Sequence, residues 1–155
     1  MPPRRVGLLR RYLLSVPPIA YLTRTVAFTA THRYFKPEWS AARNAEAFGA
    51  STAPHSHAYR CAVTLSGAVD PATGMAADLA ALDRILTEEV VARFADRDIN
   101  RDLPEYAPGR TLPTGEALCL DIWKRVAGRL PAGCRLTSVR VEEDPSLYAE
   151  YRGEA

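Results

Sequence analysis

Three histidines occur in this chain of 155 residues, and two of them are spaced i, i+2. Side chains two apart in an extended segment project to the same face, so His55 and His57 can turn both imidazoles onto one ion. His32 follows an earlier β-type run, and a neighbouring strand would bring it to the same place. Three neutral nitrogen donors with a fourth position open suit a catalytic zinc. An isolated His-x-His would be better read as unrelated histidines, one or two of them on the surface. Here, however, every histidine lies at a strand end near one loop. The three cysteines, Cys61, Cys119 and Cys134, form no CxxC pair. Their number and spacing argue against a disulfide framework and a cysteine-type zinc site, leaving a reducing cytosol as the expected compartment.

Holding these ligands requires strands, and the sequence supplies them. Tyr21 to Thr31 is rich in β-branched and aromatic residues, and His57 to Ser66 alternates Tyr59, Cys61, Val63 and Leu65 on one face. Between them, Pro37 to Ser40 reads as a loop leading into a short helical piece through Ala47, and Gly49 to Pro54 as a second loop. Gly67 and Asp70 to Gly74 read as a turn. Ala76 to Phe94 has helical periodicity in Leu79, Leu82, Ile85, Leu86, Val90 and Phe94. Ala95 to Arg110, with Pro104 and Pro108, reads as a structured loop. A second helix is expected from Thr114, its N-cap, toward Leu130, stopped by Pro131 and Gly133. Arg135 to Glu142 and Leu147 to Arg152 complete the set as strands joined at Asp144-Pro145-Ser146. The order β-β-α-α-β-β is that of an α+β domain, an antiparallel sheet with helices on one face.

The bulk properties narrow the function classes. Hydrophobic residues are 47% and charged residues 25%, values of an ordinary soluble domain. A net charge of +2 is too small to argue for nucleic acid. No apolar run reaches the ~18 residues of a membrane span. Arg4, Arg5, Arg10 and Arg11 flank short apolar stretches before Pro17-Pro18. Because the prolines interrupt the run, residues 1–20 read as an extension with a short helix at Leu8–Leu14, not as a secretory signal. Residues 21–155 then form the domain.

Several pieces, in order, carry a resemblance. They are Phe28-Thr29-Ala30-Thr31-His32-Arg33-Tyr34, Pro37-Glu38-Trp39-Ser40, Phe48-Gly49 and Pro54-His55-Ser56-His57-Ala58-Tyr59. Gly74-Met75-Ala76-Ala77-Asp78-Leu79, Pro113-Thr114-Gly115-Glu116 and Val141-Glu142-Glu143 continue them. Over residues 21–153 the chain resembles the 6-pyruvoyl- and 6-carboxy-tetrahydropterin synthase family. The resemblance implies a tunnelling fold: a four-stranded antiparallel sheet with two helices, assembled as hexamers with sites between subunits. It implies a zinc triad of His32, His55 and His57. It also implies a pterin-anchoring carboxylate at Glu143, with Thr114 and Glu116 lining the same pocket. A carboxylate suits the amino-pyrimidine edge because it can accept two parallel N–H bonds.

The departures from the family bear on chemistry. Its catalytic cysteine falls on Ser51, or on Thr52 if the loop is shifted. Its Asp-His pair falls on Ala95 and Asp96. A serine hydroxyl cannot replace a thiolate without an adjacent base. Asp96 could supply a carboxylate, and Asp98 and Glu116 are further candidates. The sequence therefore leads to the expectation of a cytoplasmic zinc enzyme with altered chemistry of lyase, aldol or cyclisation type. Its substrate would be a pterin-like or other carbonyl or hydroxyl compound, with Ser51 and Asp96 as candidate catalytic groups. The alternative is a non-catalytic binding module or structural subunit.

Overall fold

A computed structural model describes residues 16–154. The helix expected at Leu8–Leu14 lies outside the described residues. Two long strands dominate, β1 (Ile19–His32) and β2 (His55–Ala68). They pair antiparallel along their full length, from Ile19 opposite Ala68 to His32 opposite His55. β4 (Cys134–Asp144) lies on the other side of β2, and β5 (Leu147–Tyr151) on the far side of β4. Alternation explains the burial: Tyr59, Cys61, Val63 and Leu65 of β2 point to one face, as do Val139 and Val141 of β4, and all are buried.

Among the described residues the sheet has five strands, not four. β3 (Arg97–Asp98) pairs parallel with Ala30 and Thr31 at the outer edge of β1, giving the order β3-β1-β2-β4-β5. The segment expected to be a loop thus contains β3, a helical turn α4 (Ile99–Asp102) and a 3-10 turn (Pro104–Tyr106). Elements this short carry no periodicity. They form because Ile99, Leu103 and Tyr106 bury their side chains in the core and Asp98 caps α4 by accepting from the Arg101 N–H.

The connection from β1 to β2 contains α1 (Ala41–Phe48), capped by Ser40, and a 3-10 turn over Gly49–Thr52. Asn44 of α1 is buried; its side chain accepts from the Lys36 N–H and donates to the Lys36 carbonyl, fixing the preceding loop.

The helical face is built by α2 (Leu79–Leu86), a π-helical turn at Thr87–Val91, α3 (Ala92–Phe94) and α5 (Gly115–Ala127). The first of these begins three residues later than its periodicity predicts, because Asp78 is extended and accepts from the Ala81 N–H as an N-cap. Thr114 caps α5 as expected, accepting from the Ala117 N–H. α5 stops at Ala127 with Gly128 as its C-cap, short of Leu130, since Pro131 disfavours helix in the residue before it. Leu82, Leu86, Val90, Phe94, Leu118 and Ile122 pack on Phe28, Tyr59 and the β2 and β4 valines in one core. Complete burial of each such side chain contributes roughly 1.5–3 kcal/mol.

Gly67 is not a turn residue. It lies in β2 opposite Ala20, and a Cβ there would come within 2.3 Å of the Ala76 carbonyl oxygen. Its role is to let the backbone leading to α2 cross the strand closely.

Candidate metal centre and pocket

β1 and β2 end together, and that end is where the histidines meet. His32 and His55 are cross-strand partners, and His57 lies two residues on from His55 on the same face. Ring centroids are 4.6 Å apart for His32–His55, 5.1 Å for His32–His57 and 5.0 Å for His55–His57. One nitrogen from each ring lies within 4.8 Å of the corresponding atoms of the other two. The structure therefore brings together all three residues that the spacing singled out.

The backbone sets the tautomer of two of them. His32 Nδ1 is 2.8 Å from the Pro113 carbonyl oxygen and His55 Nδ1 is 2.9 Å from that of Ala53. A carbonyl only accepts, so each Nδ1 carries the proton and each Nε2 presents a lone pair. The Tyr59 hydroxyl lies a further 3.1 Å from His32 Nδ1. His32 Nε2 and His57 Nε2 are buried without any hydrogen-bond partner among the described residues. Buried imidazole nitrogens left unpaired are costly, and a shared ion would satisfy them. Burial lowers the His32 pKa to about 4, outweighing its Pro113 hydrogen bond, with His55 and His57 adding to the lowering. A neutral imidazole is the form that binds metal. The donor set fits a cation.

Glu143 stands beside this cluster because of a defect in the sheet. The β4–β5 register runs from Glu142 opposite Tyr148 to Asp144 opposite Leu147, leaving Glu143 as the extra residue of a bulge. Bulges re-aim side chains, and this one buries the Glu143 carboxylate to 8% exposure. Its Oε2 is 3.6 Å from His57 Nε2, and its Oε1 accepts from the Tyr34 hydroxyl at 3.2 Å. Gly115, the first residue of α5, makes room: a Cβ there would lie 3.2 Å from the Ala149 Cβ and 3.6 Å from Glu143 Oε1.

These groups border a pocket of about 450 Å³, lined by Tyr34, Ser51, His55, His57, Thr114 and Glu143 among others. That is the lower part of the size range of small-molecule sites. Glu116 lines it too, so four of the five non-histidine candidates, Ser51, Thr114, Glu116 and Glu143, border one pocket. Asp96 does not line this pocket. It is exposed at the outer edge of β1, in the left-handed region with φ of 58°, and its N–H donates to the Thr29 carbonyl at 2.7 Å. Ser51 and Asp96 are thus not brought together in one pocket of a single chain. Tyr34 was missed as a site residue. Its signal was available, since it follows His32 by two and so continues the parity of the metal face.

The profile of the 6-pyruvoyl tetrahydropterin synthase family matches residues 21–154. A 6-pyruvoyl tetrahydrobiopterin synthase from Poecilia reticulata is 33% identical over 138 residues, covering 88% of this chain and 92% of that protein. The Homo sapiens protein of the same name is 32% identical over 137 residues, covering 87% and 92%. The structure of Caenorhabditis elegans 6-pyruvoyl tetrahydropterin synthase superposes with a TM-score of 0.80 at 30% identity, over 89% of this chain and 98% of that one.

Proposed function

The chain belongs to the 6-pyruvoyl tetrahydropterin synthase family, and from that premise we propose that it is a zinc-dependent enzyme of pterin-like substrates whose reaction departs from that of its namesakes. The observation that carries the reading is the pair of buried nitrogens, His32 Nε2 and His57 Nε2, that find no hydrogen-bond partner among the described residues, with His57 lining the pocket beside Glu143. A binding module would have no need of an open metal site.

In this reading His32, His55 and His57 hold zinc, which would polarise a substrate hydroxyl or carbonyl oxygen and make a neighbouring C–H more acidic. The Pro113 and Ala53 carbonyls keep the first two rings aimed through their Nδ1 protons. Glu143 receives the N–H edge of the ligand. Thr114 uses a lone pair to cap α5, so its hydroxyl proton is free to point at the ligand. Glu116 adds a carboxylate to the pocket wall.

The altered chemistry rests on what surrounds that frame. Ser51 presents a hydroxyl where the family has its thiol, and Asp96, at the position of the family's histidine, does not line the same pocket. Asp96 could act only from a neighbouring copy, which suits the homo-oligomer, a hexamer by family resemblance, that we propose. Open edges support such assembly: among the described residues the outer edge of β1 is paired only at Ala30 and Thr31, and Ile19, Tyr21, Leu147 and Tyr148 are exposed. Lyase, aldol or cyclisation steps remain open to a site that polarises oxygen without a thiolate. A cytoplasmic location is part of the same reading; no helix among the described residues is long and apolar enough to cross a membrane.

The test is turnover of dihydroneopterin triphosphate by zinc-loaded protein, with pterin binding measured alongside. We expect pterin binding and background-level formation of the pyruvoyl or carboxy product. Robust product would return the chain to ordinary synthase chemistry. Binding of pterin by metal-free protein as tightly as by zinc-loaded protein would favour the binding module.

A further inference from the structure

Tyr34 is a pocket residue whose side chain joins the histidine cluster to Glu143. Its hydroxyl donates to Glu143 Oε1 at 3.2 Å, and its ring packs edge-on against His32 at 5.0 Å and against His55 at 6.2 Å. The ring also meets Phe48 at 6.0 Å, and the Tyr34 N–H donates to the Ser51 carbonyl at 2.8 Å. With the following loop pinned by Asn44, this phenol is held in one position.

A phenol has one proton, and here the proton is committed to Glu143 Oε1. The oxygen can then only accept. Glu143 Oε2 accepts as well, and among the described residues its nearest basic group is His57 Nε2, 3.6 Å away. We infer that Tyr34 is a specificity-determining residue, its oxygen and Glu143 Oε2 together forming a two-acceptor edge for a planar ligand with adjacent N–H donors. The edge rests on the pterin-like reading above and deepens it. An aminopyrimidine, with an exocyclic amine beside a ring N–H, satisfies both acceptors. A ligand presenting a carbonyl in place of the amine sets oxygen against oxygen and loses one bond. Tyr34 thus shares with Glu143 a recognition task that a lone carboxylate would perform with its own two oxygens.

The experiment compares pterin with lumazine, in which an oxo group replaces the 2-amino group, binding to zinc-loaded wild type and to Tyr34→Phe. Losing one neutral acceptor should weaken pterin about tenfold and lumazine less than about twofold. Zinc content and thermal midpoint are measured on the same samples. Tyr34→Leu gives a second reading through the ratio of the two affinities, which does not depend on the fraction of folded protein. Equal losses for both ligands, or none for pterin, would overturn the role of Tyr34 while leaving the pterin reading in place. A wild type that binds neither compound overturns both.

Discussion

His32 and His55 face each other on the last rung of the β1–β2 ladder, with ring centroids 4.6 Å apart. The site is therefore built where two long strands finish, and an ion bridging the rung would clip the strands together. We expect one zinc per chain in zinc-replete protein. Elemental analysis of His57→Ala should show that zinc is lost, with an effect larger than the roughly 10–100-fold typical of outer-sphere changes. Wild type without metal would remove the assignment.

Metal-free protein should lose stability as it is acidified. Burial holds the His32 pKa near 4 in the folded chain, against 6.5 for the free side chain. Between those values the unfolded chain binds the extra proton, so stability is full above pH 6.5 and falls as pH drops toward 4. The loss is on the order of 3 kcal/mol over that window, at about 1.4 kcal/mol per pH unit. Urea unfolding of chelated protein at pH 7 and pH 4.5 measures it, and His32→Gln should flatten the dependence. An unchanged slope in that variant would assign the acid sensitivity elsewhere.

Gly67→Ala should destabilise the fold. The new methyl would lie 2.3 Å from a backbone oxygen, so strand β2 or the backbone at Ala76 must move. Overpacking of this kind costs about 1–3 kcal/mol, read as a lower thermal midpoint. Gly109→Ala meets no atom within 4 Å and is strained only by its positive φ, making it the comparison.

Restoring Ser51→Cys alone should recover little synthase activity, because the thiol would have no histidine partner. Ser51→Cys with Ala95→Asp and Asp96→His should recover more. Position 96 already holds a left-handed backbone that aspartate and histidine tolerate better than most residues. A general base contributes roughly 10²–10⁴-fold, so the triple variant has that range to regain. Equal turnover by the single and triple variants would show that no proton relay runs through 95 and 96.

Light scattering at micromolar concentration should give an oligomer. A monomer would leave Asp96 with no pocket to serve and would sink the intersubunit reading.

The parts legible in sequence were those with a long period or a fixed spacing. Alternation through Tyr59, Cys61, Val63 and Leu65 marked β2, and the i, i+2 histidines marked the metal face. Thr114 was readable as a cap because capping is local chemistry. β3 was not, since two residues of parallel pairing depend on Ile99 and Tyr106 finding the core. The bulge at Glu143 was hidden for a related reason: register is a property of two strands at once. Gly67 looked like a turn because the backbone crossing it lies nine residues away in sequence.

Asn100 has a consequence for how such a protein can change. Its side chain accepts from the Arg33 N–H and donates to the Arg33 carbonyl, while the Asp96 N–H binds the Thr29 carbonyl. The segment from 95 to 100 is thus fastened at both ends, to β1 at Thr29 and to the residue just after it, Arg33, through backbone groups and one amide. Among the described hydrogen bonds and ion pairs, neither fastening uses the side chain of Ala95 or Asp96. Asp96, which is exposed, can exchange its chemical group while the ribbon that displays it stays tied, whereas Ala95 packs against the core. Selection on such a scaffold can rewrite a reaction in a few substitutions without first having to rescue the fold.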